Sequence, residues 1–380
     1  MNPLTTILNQ SNAYMLLLGA FAFAVAVQLF YYLFYFLRLS FYKVKTNETN
    51  NPPVSVIICA RNELKNLKSF LHLVLEQDYP KYQVIVVNDC SWDESEKYLE
   101  ELSEKYNHLK VVTIQEQERY QHGKKFALTL GIKSAQYEHL LLTDADCMPA
   151  GKNWISLIMQ GYIKDSAQII IGYGAYIKQP SLINKWIRFD TAFNAVHYLS
   201  FALSGNAYMG VGRNLSYLRS LFFANKGFAR HQHILSGDDD LFVNETANSK
   251  NTVVQLHPES ITYSQPKNGF GEWFRQKRRH FSTSKLYKTK DKWRLGFFYF
   301  SQGLCYITLA ALLIIQFKIE YVVAAFGLRL AIQMAIFGSC LKKLKEGDLI
   351  WLIPIGDLFI TLWYPVIAIS NRFVKNKTWK

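Results

Sequence analysis

Cysteine is scarce in this 380-residue chain. The five thiols, Cys59, Cys90, Cys147, Cys305 and Cys340, are odd in number and form no CxxC pair. Nothing here reads as a disulfide framework, and reduced thiols are expected. No Gly-x-Gly-x-x-Gly motif follows the first strand-like run, which counts against a dinucleotide-binding Rossmann domain. The lack of a Walker A loop counts against a P-loop enzyme. Internal repeats and low-complexity segments are absent. The formal net charge is +14, yet no nucleic-acid recognition motif accompanies it, so no nucleic-acid partner is expected. Charge is also missing from Met15 to Leu37, over 23 positions, enough for about 30 Å of hydrocarbon as a helix. No Lys or Arg precedes this run and no small-residue cleavage site follows it. That argues for a retained membrane anchor over a cleaved signal peptide.

What is present is strongly apolar, with 50% hydrophobic and 15% aromatic residues. Three further segments, Leu295–Phe317, Tyr321–Cys340 and Leu349–Ser370, are long enough to be membrane spans, with buried core helices as the alternative. Basic residues flank the intervening region: Arg38, Lys43 and Lys45 on one side, Lys285, Lys288, Lys290, Lys292 and Arg294 on the other. This predicts that the region faces the cytoplasm of an inner-membrane protein and that anionic membrane lipids are partners. Four simple spans would place the C-terminal end outside, yet Arg372, Lys375, Lys377 and Lys380 favour the inside. With Pro354, Asp357 and Pro365, the last segment reads as broken, re-entrant or interfacial. Arg329 and Asp357, inside apolar segments, could pair structurally, contact a lipid-linked acceptor or line a narrow path. The expected division is an anchor over 1–45, a cytoplasmic domain over 46–294 and a C-terminal membrane region over 295–380.

The middle region alternates in period. After the polar linker Thr46–Pro53, Val54–Cys59 reads as a strand, and Leu64, Leu67, Phe70, Leu71, Val74 and Leu75 have the spacing of an amphipathic helix. Gln83–Val87 is a second strand. Ser91 and Glu94 have capping-box spacing for a helix reaching about Tyr106. Leu109–Ile114, the helix Gly123–Ser134 and the strand His139–Thr143 follow. Such alternation predicts βαβ units and a parallel sheet, with ligands outside the carboxyl ends of the strands. Those ends are Arg61-Asn62-Glu63, Asn88-Asp89 and Asp144-Ala145-Asp146. Side chains at i and i+2 of a strand share a face, so Asp144 and Asp146 can converge on one divalent cation, Mg²⁺ or Mn²⁺, together with substrate phosphates. A solvated turn is the alternative.

Farther on, Leu182–Leu203 reads as an amphipathic helix, either core or membrane-surface. Gly210-Val211-Gly212-Arg213-Asn214 is a glycine-rich turn. Asp238, Asp239 and Asp240 are three adjacent carboxylates that suggest a nearby cation or a raised pKa, or else a helix-capping acidic turn. Trp273 to His280 mixes aromatic and basic residues at helical spacing, which suits either a lipid surface or an anion.

These motifs, in this order from Pro53 to His280, resemble a membrane-bound, inverting glycosyltransferase of family 2. The resemblance implies a GT-A type, Rossmann-like fold, with a mixed, mostly parallel sheet flanked by helices, plus N- and C-terminal transmembrane helices. It further implies that Arg61 and Glu63 border the nucleotide, that Asp89 meets the base, and that Lys124 sits near the diphosphate. Asp144 and Asp146 become the DxD pair, and the turn holding Gly210, Gly212 and Asn214 lines the acceptor side. The catalytic base falls at Asp238, with Asp239 the competing choice. Asp240, Gln276, Arg279 and His280 complete the substrate-binding motifs, Arg279 assisting the leaving group. Two departures stand out. Gly237 occupies the place of the family's Glu, and His280 that of the Trp in Gln-x-x-Arg-Trp, which points away from processive synthesis. The expected function is metal-dependent transfer from a nucleotide-sugar donor to a lipid or membrane-associated glycan. The alternatives are a catalytically inactive scaffold and, less in keeping with so few spans, a transporter.

Overall fold

The computed structural model describes residues 3–44, 51–115, 123–163, 166–234, 236–267 and 269–373. Lys45, most of the Thr46–Pro53 linker and the basic residues Lys375, Lys377 and Lys380 lie outside them. Ten strands are described: β1 (Val54–Ala60), β2 (Tyr82–Asp89), β3 (Leu109–Ile114), β4 (His139–Asp144), β5 (Cys147–Pro149), β6 (Ile169–Ile171), β7 (Gly174–Tyr176), β8 (Leu215–Leu218), β9 (Thr252–Val254) and β10 (Thr262–Ser264). Seven form one sheet in the order β3-β2-β1-β4-β8-β6-β9, and β5-β10-β7 form a small second sheet. The first four strands run parallel, while β8 is antiparallel to both β4 and β6. The fold class is therefore α/β with a mixed, mostly parallel sheet. All seven residues of β1 are buried, as expected for a strand covered on both faces.

Register brings the polar strand ends to one edge. Cys59 of β1 lies opposite Asp144 of β4, and Ala60 opposite Asn88 of β2. The helix after β1 is Leu64–Leu75, with Leu67, Phe70, Leu71, Val74 and Leu75 buried, as its spacing predicts. The capping box at Ser91 does not form, because the next helix begins only at Ser95. The Ser91 hydroxyl instead accepts the Asn62 N–H at 2.9 Å, and the Asp93 carboxylate accepts from Leu64 at 3.0 Å and Ser95 at 3.1 Å. These bonds tie the exits of β1 and β2 together. The helix Leu182–Leu203 belongs to the core, with most of its residues buried.

Four helices are long and apolar enough to cross a membrane: Asn12–Phe41, Thr289–Ile314, Ile319–Lys343 and Gly347–Asn371. The first contains a π-helical turn at Tyr32–Phe36, which seats Tyr35 in a stack on Phe201 at 4.4 Å and Phe36 on His197. Between the helices Arg329 pairs with Asp357 at 2.8 Å, both fully buried, so the pairing reading holds. The fourth helix begins with a 3₁₀ turn and runs unbroken as Ile353–Phe373 through Pro365. Both of its ends return to the domain. Asp348 binds Lys178 and Arg188. At the far end, Asn371 donates to the Arg278 carbonyl at 2.9 Å and accepts from the Arg278 guanidinium.

Candidate active site

At the carboxyl end of β4, Asp144 faces Lys124, the first residue of the helix Lys124–Ser134. The Lys124 ammonium bridges Asp144 Oδ1 and Asp238 Oδ2, each at 2.9 Å. The glycine-rich turn approaches from the other side, and Gly212 N–H donates to Asp239 Oδ2 at 2.7 Å. Asp239 Oδ1 accepts the Asp240 N–H at 2.7 Å. Asp240 turns away, accepting hydrogen bonds from the Thr283 hydroxyl and, at 2.8 Å, from Tyr287. The three adjacent aspartates thus do three things: one pairs with a lysine, one is aimed by backbone amides, and one tethers the segment after the helix Phe270–Phe281. Gly237 is left-handed at φ +97°, and a Cβ there would run into Leu241 Cδ1. No side chain fits that position, which accounts for glycine in place of the family's Glu.

Charge is unevenly compensated. Burial, followed by the neighbouring charges of Asp238 and Asp240, pushes the Asp239 carboxyl up to about 7. Burial would raise Asp238 too, but the Lys124 ammonium outweighs it and holds this carboxyl below its usual value. Burial and then the Asp144 charge raise Asp146. Lys124 is desolvated, yet Asp144 and Asp238 together raise its pKa well above normal and keep it charged.

Donor atoms of Asp144, Asp146 and Cys147 lie within 4.8 Å of one another. The thiol is engaged with Ser264 Oγ at 3.0 Å and Asp146 Oδ1 at 3.5 Å. Burial keeps its pKa well above the usual thiol value, so it stays protonated and is no ligand for a hard ion. The two carboxylates suit Mg²⁺ or Mn²⁺ completed by ligand oxygens.

A cavity of about 550 Å³ opens from this cluster. Its lining includes Lys124, Asp144, Gly212, Arg213 and Asp238–Asp240, the residues Gln276, Lys277, Arg279 and His280, and Leu295, Gly296 and Tyr299 of the second apolar helix with Tyr364 of the fourth. Within it Lys277 pairs with Asp190 at 2.5 Å, and Tyr364 donates to Asp190 Oδ1 at 2.9 Å. Burial and the Arg279 charge hold the His280 pKa well below normal, leaving a neutral imidazole. The polar side of the helix Phe270–Phe281 lines the cavity, while Phe270 and Phe274 pack on Trp363 of the fourth apolar helix.

Nine of the residues expected from sequence therefore share one cavity: Lys124, Asp144, Gly212, Asp238, Asp239, Asp240, Gln276, Arg279 and His280. Asp146 stands beside Asp144 at its edge. Arg61, Glu63 and Asp89 lie at the neighbouring strand exits, outside the cavity lining, with Glu63 and Asp89 buried. Two expectations are corrected. The fully buried Asn214 side chain donates to the Tyr173 and Ser260 carbonyls at 2.9 and 2.7 Å and accepts from Trp154 at 3.1 Å. It holds the scaffold rather than an acceptor. Gly210 is also buried outside the cavity, packed so closely that a Cβ would lie 2.9 Å from Leu215 Cδ1.

Sequence reasoning passed over Arg213 and Asp190. Arg213 lies 4.5 Å over the Tyr176 ring and donates to Ser264 Oγ at 3.2 Å. Its signal was a charged residue inside the glycine-rich turn. That of Asp190 was a lone carboxylate among the apolar positions of Leu182–Leu203.

Comparisons with known proteins agree with this geometry. Residues 55–223 match the description Glycosyl transferase family 2. A probable glycosyltransferase of Bacillus subtilis, YdaM, is 27% identical over 248 residues, covering 62% of this chain and 56% of that protein. The 4,4'-diaponeurosporenoate glycosyltransferase of Staphylococcus aureus is 28% identical over 166 residues, covering 44% of this chain and 41% of its own. The chain thus spans about half the length of these curated relatives. Among solved structures, the mannosyltransferase PcManGT from Pyrobaculum calidifontis, in complex with GDP-Man and Mn²⁺, superposes with a TM-score of 0.57. The identity is 18%, over 92% of this chain and 99% of that one, and the likeness is one of fold.

Proposed function

We propose that the protein, whose residues 55–223 match the description Glycosyl transferase family 2, moves a sugar from a nucleotide-sugar donor to a lipid or membrane-associated glycan, with inversion at the anomeric carbon. One observation carries this reading: a single cavity is lined both by the carboxylates with Lys124 and by residues of two helices long enough for a membrane. The nucleoside lies toward Arg61, Glu63 and Asp89, and the diphosphate toward Asp144, Asp146, Lys124 and Arg279. When bound at Asp144 and Asp146, Mg²⁺ or Mn²⁺ offsets charge on the diphosphate.

Asp239 is the base that takes the proton from the acceptor hydroxyl as that oxygen attacks the anomeric carbon. Asp238, the first choice from sequence, is committed to Lys124, whereas Asp239 is aimed by the Gly212 amide and has a pKa suited to accepting a proton near neutrality. A single displacement needs no enzyme nucleophile. The acceptor enters from the bilayer past Tyr299 and Tyr364. Three helices cross the bilayer, and the fourth lies along the boundary between membrane and domain, since both its ends bind the domain. That arrangement puts the end of the fourth helix on the same, cytoplasmic, side as the domain, which is the side the charge rule favours for the basic sequence that follows it.

The test is a screen of nucleotide sugars with the protein in nanodiscs, scoring free nucleoside diphosphate with Mn²⁺ or Mg²⁺ present. One donor should be turned over, excess EDTA should stop it, and Asp146→Ala should weaken metal-dependent nucleotide binding while leaving the fold intact. Full activity in EDTA would remove the metal from the mechanism. No turnover of any donor with membrane-lipid extract present would overturn the transfer itself.

A further inference from the structure

A second recess shares no lining residue with the site cavity. It has a volume of about 350 Å³ and is lined by Tyr42, Lys43 and Val44 after the first apolar helix, by Leu256 and Pro258 of the domain, and by Lys342, Lys343 and Lys345 at the end of the third. Four lysines therefore meet from two separate segments, and among the described residues no carboxylate lines the recess. Lys343 is committed to the fold, donating to the Tyr42 carbonyl at 2.6 Å. Lys43, Lys342 and Lys345 are exposed. The neighbouring acids are engaged elsewhere: Glu346 is buried on Arg188, and Asp348 is held by Arg188 and Lys178.

The walls are as informative as the charges. Tyr42 caps the end of the first helix, and its hydroxyl donates to the Val254 carbonyl of β9 at 2.6 Å. The recess is thus a fixed junction between two apolar helices and the domain. Its place is where those helices would leave a bilayer, at headgroup depth. Like charges gathered there, with no counter-ion lining the recess among the described residues, favour an anion supplied by the membrane.

We infer that this recess is a binding site for the phosphate headgroup of an anionic phospholipid, with Lys43, Lys342 and Lys345 as the ligating groups. The acyl chains lie against the first and third helices, and the headgroup pins the domain to the membrane through Tyr42 and β9. The site is separate from the donor cavity and does not depend on which sugar is transferred.

The test uses the full-length protein in nanodiscs of phosphatidylcholine with or without phosphatidylglycerol. Lipid retained after detergent exchange is counted by native mass spectrometry. The wild type should keep phosphatidylglycerol over phosphatidylcholine, and the triple variant Lys43→Gln, Lys342→Gln, Lys345→Gln should lose that preference. An exposed lysine near an anionic surface contributes roughly fivefold in affinity, so three amount to the order of a hundredfold. A control with Lys65→Gln, Lys97→Gln and Lys105→Gln, on exposed domain helices, removes equal charge and should keep the preference. Millimolar inorganic phosphate should not displace the lipid. The proposal fails if the triple variant, folded by thermal melt, retains phosphatidylglycerol as the wild type does. It fails equally if the control loses the lipid to the same extent, or if free phosphate displaces it.

Discussion

Between the apolar helices, Arg329 meets Asp357 as one charge of each sign, and Gln28, Gln302, Gln333 and Tyr306 add hydrogen bonds that leave only Arg329 Nε of the pair without one. At the exit of β4, Lys124 bridges Asp144 and Asp238, Asp146 and Asp239 stand beside them, and Asp240 turns to Thr283 and Tyr287. The first cluster sets one cation against one anion, whereas the second gathers several carboxylates that share the fields of Lys124, Lys125 and Arg213. The balanced pair reads as structure that locks the helices together. In the other cluster Asp239 is held by backbone amides, and burial, then the charges of Asp238 and Asp240, raise its carboxyl to about 7. Burial combined with neighbouring like charge, which the first cluster lacks, marks the candidate site.

The sharpest way to break the contrast is Asp239→Asn. Turnover should fall by about 10² to 10⁴, with donor and metal affinity little changed, as read from single-turnover rates and nucleotide titration. Asp238→Asn should cost less turnover and should keep or raise diphosphate affinity, because it removes a negative charge and frees Lys124. The reverse pattern would return the base to Asp238.

The balanced pair makes the opposite prediction. Asp357→Asn should destabilise the protein by about 3–5 kcal/mol, since it strands a buried cation. The paired change Arg329→Met with Asp357→Leu should recover most of that loss. Turnover per folded molecule should stay unchanged in both, as measured by unfolding in detergent alongside activity. Lost turnover in a stable Asp357→Asn protein would make the pair part of a substrate path.

The smallest effect is the dependence on pH. Asp239 must be ionised to accept a proton, so kcat/KM should rise with pH and bend near 7, falling about tenfold per unit below the bend. Stability runs the other way. The folded carboxyl holds its proton to about 7, against an ordinary value of 3.8, so the folded state binds the proton more tightly than the unfolded one. This residue's contribution therefore declines as pH rises from about 4 to about 7 and is level above that. Asp239→Asn should flatten both curves in that window.

The sheet was legible because its strands are short β-branched runs bounded by Pro, Asn and Asp, and the helix Leu64–Leu75 because its apolar spacing is unmistakable. The carboxylates were legible because Asp144 and Asp238–Asp240 stand at the ends of apolar runs. Asn214 misled because a polar residue in a glycine-rich turn can serve either a ligand or a buried carbonyl, and only packing distinguishes them. The capping box at Ser91 failed for a similar reason. Local spacing cannot show that the exit of β1 stands close enough to claim the hydroxyl. Asp190 and Tyr364 stayed hidden because their meeting depends on 174 residues of intervening chain. The order of Asp238 and Asp239 likewise depended on where a lysine from a distant helix comes to rest.

The bond between Asn371 and Arg278 carries a consequence for biosynthesis. A ribosome that has yet to release the fourth apolar helix has already made every carboxylate of the site, but not Tyr364, which braces Asp190, nor the anchor that holds the helix bearing Gln276, Arg279 and His280. On the proposed function, such a nascent chain would hold its donor-side residues without the wall that Tyr364 supplies, and transfer would wait until the fourth apolar helix had been made and docked on the domain.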